Sequence, residues 1–317
     1  MVNTVPGQQL LARLERSLSA LLPAGARLGV AVSGGPDSLA LLCLAAAARP
    51  GEIAAATVDH GLRAESAGEA AMVADTCRSL GVPHSILPAV IGPGSSLQAK
   101  AREARYVALA DWARKDALAA VLTAHHADDQ AETLLMRLGR GAGVGGLAGV
   151  RPKFRHESGT LFIRPLLGWR KEELAAVVED TGVVPVDDPT NRDERHDRTR
   201  ARAFLANRTW PDAHKLAESA GHLADAEEAL TFATQQLARE RIAVEGPVLT
   251  LSAADLPLEF QRRLLLEAMR QLGAGPPRGP DLQRALWKLR GGGTCTLAGL
   301  RLHGGVAWRL ELAPSRR

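Results

Sequence analysis

The chain is poor in aromatic residues and in cysteine. Aromatic side chains make up only 3% of its 317 residues, so Leu, Ala and Val must build most of its core. Its three cysteines, Cys43, Cys77 and Cys295, are far apart and form no CxxC pair. Such a set does not fit a disulfide framework, a zinc site or an iron–sulfur site. We therefore expect no structural metal.

Long hydrophobic runs are also missing. The longest apolar run, residues 39–48, is too short to cross a bilayer. Residues 1–22 lack the basic start, apolar stretch and small-residue cleavage site of a secretory signal. We therefore expect no membrane partner and a cytoplasmic location. With 46% apolar and 23% charged residues, the composition is that of a soluble globular protein, and the length favours two domains.

The net charge of +4 conceals two basic blocks. Residues 137–171 carry eight basic side chains and one acidic, and residues 261–317 carry 11 basic and three acidic. Between them, residues 172–260 carry nine basic and 18 acidic side chains. Basic blocks on an otherwise acidic chain indicate a polyanionic partner, the alternative being a solvated Arg-rich surface.

Short apolar segments alternate with helical patterns through the first two-thirds of the chain. The predicted strands are 28–32, 53–58, 84–87 and 120–123, and the helices that follow them are 38–48, 65–80, 97–115 and 128–138. This alternation predicts an α/β fold whose parallel sheet is covered by helices on both faces. The glycine-rich segment 139–150 is predicted to be an irregular loop, and residues 170–181 a further helix.

A polar, arginine-dense segment before Pro211 is the predicted domain boundary. Residues 1–210 would form the α/β domain, and residues 211–317 a smaller, mostly helical domain. The helices predicted there are 213–241, 257–272 and 281–290. A β-hairpin, 294–302 and 306–312 with its turn at Gly304-Gly305, would follow them.

The first predicted strand runs directly into Ser-Gly-Gly-Pro-Asp-Ser at 33–38. Gly34 and Gly35 allow a tight turn with uncovered backbone N–H groups, and the next helix directs its positive end there. These features predict a phosphate site. Asp37 suits such a site only if a divalent cation bridges it to the phosphates. The segment lacks the lysine of a Walker A loop, and the alternative is an ordinary turn with Asp37 as N-cap.

Two further segments follow predicted strands and should reach the same sheet edge. In Val-Asp-His-Gly-Leu-Arg at 58–63, His60 and Arg63 could face a nucleotide, although such a turn can also be purely structural. After the fourth strand, Asp129 and Glu132 lie one helical turn apart on one face. Carboxylates beside a triphosphate suit Mg²⁺ or an incoming amine. The alternative is a helix start whose carboxylates offset the dipole.

Arginines near these segments are candidates for binding a nucleic-acid backbone or for closing over a reaction. The pair on the third predicted helix could instead be a solvated helix face. The candidates are Arg102, Arg105, Arg140 and Arg164.

The segment at 33–38 resembles the PP-loop motif SGGxDS of N-type ATP pyrophosphatases, which cut ATP between its α- and β-phosphates. Within that class, six ordered blocks between residues 25 and 210 resemble the tRNA(Ile)-lysidine synthetases. Besides 33–38 they are VDHGLR at 58–63, AREARY at 101–106, HHADDQAET at 125–133, RGAG at 140–143 with RPLL at 164–167, and DPTN at 188–191 with Arg198 and Arg202. Thr199 departs from the family's usual Asn.

This resemblance implies a PP-loop, Rossmann-like fold and a ligase that uses ATP and Mg²⁺. Its substrates would be the isoleucine tRNA with a CAU anticodon and free L-lysine, with residues 211–317 recognising the tRNA. ATP would be bound by Ser33, Gly34, Gly35, Pro36, Asp37, Ser38, His60, Arg63 and His126, with Asp37 also the Mg²⁺ ligand. The catalytic residues would be Asp37, Arg102, Asp129 and Glu132, and the tRNA-binding residues Arg140, Arg164, Arg198 and Arg202.

Three rival functions remain open at this point. A tRNA thiolase of the 2-thiocytidine type uses the same ATP chemistry, but delivery of sulfur through protein needs cysteines near the loop. An ammonia-using PP-loop enzyme would have no use for two basic blocks. A catalytically silent tRNA-binding relative would be free to lose Asp37, Ser38 and Asp129, all of which are present.

Overall fold

The computed structural model describes residues 5–23, 25–59, 66–89, 97–186, 197–206 and 210–314. The chain divides into two compact units, Met1–Ala224 and Asp225–Arg317. This division falls inside the long helix α9 (Ala213–Arg241), whereas the boundary expected from sequence lies before that helix. A functional boundary at 210/211 stays a prediction.

The first unit is built on a six-stranded sheet. Its strands are β1 (Leu28–Ala31), β2 (Ile53–Asp59), β3 (His84–Pro88), β4 (Ala120–Leu122), β5 (Lys153–Arg155) and β6 (Leu161–Ile163). The order is β3-β2-β1-β4-β6-β5, and every neighbouring pair is parallel except β5 with β6. The predicted parallel α/β sheet is confirmed. The hairpin of β5 and β6 was not predicted, because three-residue strands with mixed side chains show little periodicity.

Helices cover both faces of this sheet. They are α1 (Gln8–Ser19), α2 (Pro36–Ala48), α3 (Ser66–Ser79), α4 (Leu97–Lys115), α5 (Ala127–Leu138), α6 (Val144–Leu147), α7 (Lys171–Thr181) and α8 (Asp197–Ala206). One core cluster joins α1, α2 and α7 to the sheet, and a second joins α4 to it. Leucine dominates the largest fully buried side chains, as the scarcity of aromatics implies. No helix among the described residues could span a bilayer.

The glycine-rich segment 139–150 is more regular than expected. The prediction of a wholly irregular loop is wrong, because α6 forms one helical turn within it. The N–H of Leu147 closes that turn on the carbonyl of Gly143 at 2.9 Å. Arg137, in α5, donates to the carbonyls of Gly146 at 2.5 Å and Gly149 at 3.1 Å. The Arg137 side chain therefore supplies hydrogen-bond donors for backbone carbonyls of this glycine-rich segment.

The second unit has its own antiparallel sheet. Its helices after α9 are α10 (Leu258–Gln271) and α11 (Gly279–Arg290), and its strands are β7 (Ile242–Glu245), β8 (Val248–Leu251), β9 (Thr294–Leu297), β10 (Leu300–His303) and β11 (Trp308–Leu312). The strand order is β7-β8-β11-β10-β9. Leucines and Trp308 on one face of the sheet share a core with α10 and α11.

The predicted helices of this unit are confirmed, but the single hairpin expected after them is incomplete. The predicted turn at Gly304-Gly305 does join β10 to β11. The segment 294–302 is two strands, however, because Ala298 and Gly299 take φ values of 46° and 79° and reverse the chain. Strands β7 and β8 were missed, since four-residue strands beside a 29-residue helix leave little signal.

Candidate active site

Strand order places two of the predicted site segments side by side. β1 lies between β2 and β4, so the chain leaves β1 on one side and returns to its other side at β4. Ligands of open parallel sheets bind at such a point, beyond the carboxyl ends of the strands. Residues 33–38 follow β1, and residues 123–126 follow β4. Both segments therefore reach the same edge.

The loop at 33–38 is tied together by its own serines. The buried Ser38 hydroxyl donates to the carbonyl of Gly35 at 2.9 Å and accepts from the N–H of Ser33 at 3.1 Å. Gly35 is the N-cap of α2, and Pro36 begins the helix. Proline at the first helical position keeps that turn in shape without requiring an N–H partner. The loop thus sits at the positive end of a helix, where a phosphate is favoured.

Gly34 cannot be replaced without distorting this loop. Its φ is +83°, and a Cβ placed on it would lie 3.0 Å from Cγ2 of Val186, whose N–H donates to the Gly34 carbonyl at 2.9 Å. We expect Gly34→Ala to cost about 1–3 kcal/mol in the free energy of unfolding and to weaken ATP binding. Urea denaturation and ATP titration would measure the two effects.

Gly81→Ala is the matched control for this substitution. Gly81 also has a positive φ, +68°, but nothing lies within 4 Å of its added Cβ. It should lose some stability and keep its affinity for ATP. Equal ATP affinity in the two variants would show that the geometry of the 33–38 loop does not matter for the nucleotide.

His126 joins the two segments. It is only 4% exposed, and its Nε2 lies 3.4 Å from Oδ2 of Asp37 and 3.6 Å from Oδ2 of Asp129. Its Nδ1 lies 3.4 Å from Oδ2 of Asp128. Burial lowers the pKa of His126, but the neighbouring carboxylates of Asp128, Asp37 and Asp129 outweigh it and raise the pKa to about 10. The structure therefore brings two of the predicted residues, Asp37 and Asp129, to the imidazole of a third, His126.

The carboxylates of α5 are engaged by arginines of α8. Glu132 is 3% exposed, and its two oxygens accept from Nε of Arg198 and Nε of Arg202, each at 2.8 Å. Arg198 also donates from Nη2 to Oδ1 of Asp129 at 2.6 Å, while Oδ2 of Asp129 accepts the N–H of His126 at 3.0 Å. Four residues predicted for two different roles thus form one network.

A second group of arginines gathers around Tyr106. Arg102 and Arg164 donate to its hydroxyl from Nη2, at 3.1 Å and 3.4 Å. The guanidinium of Arg105 lies 5.7 Å from the centre of its ring. Arg164 is 5% exposed, and burial together with the charge of Arg102 lowers its pKa. Within the described ranges no carboxylate pairs with these three arginines, so the group is suited to an anionic ligand.

His125 and Tyr106 belong to the site but were not predicted as members of it. His125 follows β4, and its Nδ1 lies 3.1 Å from Oγ1 of Thr123. Its pKa is lowered to about 2 by burial first and then by nearby positive charges, those of Arg164, Arg102, Arg105 and Arg198. The two arginine groups are therefore neighbours. Sequence analysis named both residues only within longer motifs, His125 in HHADDQAET at 125–133 and Tyr106 in AREARY at 101–106.

Other predicted site residues lie elsewhere or cannot be placed. Arg140 is exposed, just past the end of α5. His60, Arg63 and residues 187–196 lie outside the described residues. In the part of the chain that is described, no group of three or more His, Cys, Asp or Glu side chains is arranged to bind a metal. A single part-exposed carboxylate such as Asp37 nevertheless fits Mg²⁺, which is commonly bound through one or two carboxylates and substrate phosphates.

Comparison with known proteins agrees with this architecture. Residues 9–209 match the model of the PP-loop domain family. The chain is 49% identical to the tRNA(Ile)-lysidine synthase of Novosphingobium aromaticivorans over 309 residues, covering 96% of this chain and 94% of that one. It is 44% identical to the enzyme of the same name from Zymomonas mobilis over 300 residues, covering 93% and 91%.

A solved structure shows the same fold at low identity. The U34-tRNA thiolase NcsA from Methanococcus maripaludis, determined with its 4Fe-4S cluster, superposes with a TM-score of 0.57 and 15% identity. The match covers 69% of this chain and 78% of the thiolase chain.

A glycine loop at the switch point of a parallel sheet, with the family match over residues 9–209, defines a PP-loop protein. More narrowly, the chain belongs to the tRNA(Ile)-lysidine synthase family, ATP-dependent ligases that modify tRNA. The resemblance drawn from sequence is confirmed.

Proposed function

We propose that this protein joins L-lysine to carbon 2 of the wobble cytidine in the isoleucine tRNA with a CAU anticodon. The cytidine oxygen on carbon 2 attacks the α-phosphorus of ATP, and pyrophosphate leaves. The ε-amine of lysine then attacks carbon 2, and AMP leaves. The proposal rests above all on one observation: Asp37 of the phosphate loop and Asp129 of α5 both lie within 3.6 Å of His126. This proximity supports a nucleotide site beside a carboxylate that could bind an amine.

The first half-reaction needs groups that bind and orient the triphosphate. The 33–38 loop, the positive end of α2 and protonated His126 supply donors and positive charge at one place. We assign His60 and Arg63 to the nucleotide as well, from sequence. Mg²⁺ held by Asp37 would neutralise charge on the phosphates.

The second half-reaction needs a neutral amine, although free lysine has a side-chain pKa of about 10.4. A carboxylate can bind the ammonium and then accept its proton as nitrogen attacks. We assign this role to Asp129 or Glu132. Arg198 donates hydrogen bonds to both Glu132 and Asp129. An incoming ammonium would therefore have to displace at least one of these two bonds.

Binding of tRNA is assigned to the arginines that have phosphate-compatible positions. Arg164 lacks a carboxylate partner among the described side chains, and Arg140 is exposed in the first basic block. Arg198 and Arg202 are part-exposed and could also reach the backbone. The second basic block supports a tRNA-recognition role for residues 211–317, and the substrates support a cytoplasmic location.

One assay tests the proposed reaction as a whole. Pyrophosphate release from ATP is measured with the CAU-anticodon tRNA, with and without L-lysine, and the product tRNA is analysed by mass spectrometry. We expect tRNA-dependent release and a lysine adduct on one cytidine. A sulfur-for-oxygen mass change would assign the protein to the thiolases instead. Absence of release under all conditions would leave a silent tRNA-binding relative.

Arg102 provides a test of the anionic site around Tyr106. We assign Arg102 a catalytic role on the reacting phosphates, and we therefore expect Arg102→Ala, which loses that positive charge, to lower kcat by about 10- to 100-fold. Arg114→Ala is the matched control, since Arg114 lies on the same helix but is exposed and paired with Asp111 at 2.7 Å. Its steady-state kinetics should equal those of the wild type. An Arg102→Ala enzyme with unchanged kcat would remove this residue from the mechanism.

A further inference from the structure

Trp287 is an exposed tryptophan that the core of its unit does not use. It lies on α11 and is 77% exposed, whereas Trp308 in the same unit is fully buried. The inward face of α11 is already complete, with Leu282, Ala285, Leu286 and Leu289 buried against the sheet. An indole that large on the outer face contributes little to folding, and such residues are enriched where another molecule binds.

Positive charge surrounds this indole. Helix geometry places Arg284 one turn before Trp287 and Arg290 one turn after it, with Lys288 adjacent. Arg284 pairs with Asp281, but Lys288 and Arg290 pair with no carboxylate among the described residues. In sequence, residues 282–310 contain five Lys or Arg and no Asp or Glu. Cations in the last turn also offset the helix dipole, yet that effect gives no reason for an exposed indole.

We propose that Trp287, Lys288 and Arg290 form a stacking platform for an unpaired base of the bound tRNA. The indole would lie against the face of the base, and the two cations would contact the flanking phosphates. An unpaired base is the occupant that fits, because paired bases hide their faces inside the duplex while a single strand exposes them. The absence of acidic residues from 282–310 favours a polyanion over a protein surface of mixed charge. This inference rests on tRNA being the substrate.

Phe232 provides a matched control within the same unit. It is also an exposed aromatic residue on a helix, at 64%, but Glu228 lies one turn before it and no Lys or Arg lies within one turn of it in sequence. It therefore offers a ring without the positive surroundings. If exposed aromatic surface alone governed binding, the two positions would behave alike.

The test compares full-length Trp287→Ala, Trp287→Phe and Phe232→Ala in tRNA filter binding across a series of NaCl concentrations. We expect Trp287→Ala to raise the Kd about 10- to 100-fold with an unchanged salt slope, since stacking releases no counterions. Trp287→Phe should recover most of the affinity, and Phe232→Ala should match the wild type. Arg290→Ala should instead reduce the salt slope by about one unit.

Two outcomes would overturn the platform. One is a Kd for Trp287→Ala no different from that of Phe232→Ala. The other is a change of oligomeric state: if Trp287→Ala converts a dimer of the free protein into a monomer, the exposed face of α11 is a contact between two copies. Kinetics separate this inference from the proposed reaction: Trp287→Ala should raise the KM for tRNA and leave kcat unchanged. Failure of the wild type to form the lysine adduct would refute the reaction and leave the binding result standing.

Discussion

Asp37→Asn is expected to reduce pyrophosphate release by about 100- to 1000-fold, because it removes the carboxylate that we propose holds Mg²⁺ on the reacting phosphates. Asp37 is the acidic residue in the first turn of α2, directly at the phosphate loop. Its Oδ2 also faces Nε2 of His126, so the substitution weakens the contact between the two site segments. Initial rates of pyrophosphate release, with tRNA and lysine saturating, would measure the loss.

Asp75→Asn is the control for this change. Asp75 is an exposed aspartate on α3 whose partner among the described residues is the neighbouring Arg78, so its replacement removes the same charge without touching the hydrogen bonds of residues 33–38. It should have wild-type kinetics. Thermal unfolding would show that Asp37→Asn is folded. Near-normal pyrophosphate release by folded Asp37→Asn would refute the assignment of residues 33–38 as the nucleotide site.

Glu132→Gln should separate the two half-reactions. If Glu132 positions the amine, adenylation of the tRNA persists while transfer of lysine slows by about 100- to 10,000-fold, the range of general acid–base effects. The adenylated tRNA would then accumulate, and mass spectrometry would detect it beside the lysine product. The same measurement on Asp129→Asn decides between the two carboxylates, of which Glu132 is the more deeply buried.

The buried position of Glu132 makes a further control necessary. Its oxygens accept from Arg198 and Arg202, so glutamine also weakens the attachment of α8 to α5. Arg202→Ala removes one of these bonds and leaves the carboxylate in place. If Arg202→Ala blocks lysine transfer as strongly as Glu132→Gln when tRNA is saturating, the defect comes from a displaced α8 and not from the carboxylate. Normal lysine transfer by Glu132→Gln would exclude Glu132 as the amine's proton acceptor.

Much of the fold followed from periodicity, because buried parallel strands and their helices are long enough to show it. The meeting of Asp37 with Asp129 was also predictable, since both follow strands whose carboxyl ends share one edge. Strands of three or four residues, such as β5 and β7, carry too little pattern to be found.

Pairings between distant residues were not predictable from a single sequence. Arg198 and Arg202 were assigned to tRNA through the resemblance to the lysidine synthetases, whereas the structure pairs them with carboxylates 66 to 70 positions earlier in the chain. Nothing local in the sequence distinguishes an arginine that pairs with a carboxylate from one that awaits a ligand. Arg102 and Arg164 likewise donate to one hydroxyl, that of Tyr106, because α4 packs close to the end of β6, and this packing could not be predicted from the sequence.

The shared use of Arg198 by two carboxylates has a thermodynamic consequence. If the lysine ammonium binds at Asp129 as proposed, it would take over the electrostatic role that Arg198 fills there. The Nη2 of Arg198 would then be free to contact a phosphate, so the amino acid and the nucleic acid would each favour the binding of the other. Such coupling is reciprocal by necessity, whichever ligand arrives first. Arg198 would then be an exchangeable counterion, and its change of partner would couple the binding of lysine to the binding of tRNA.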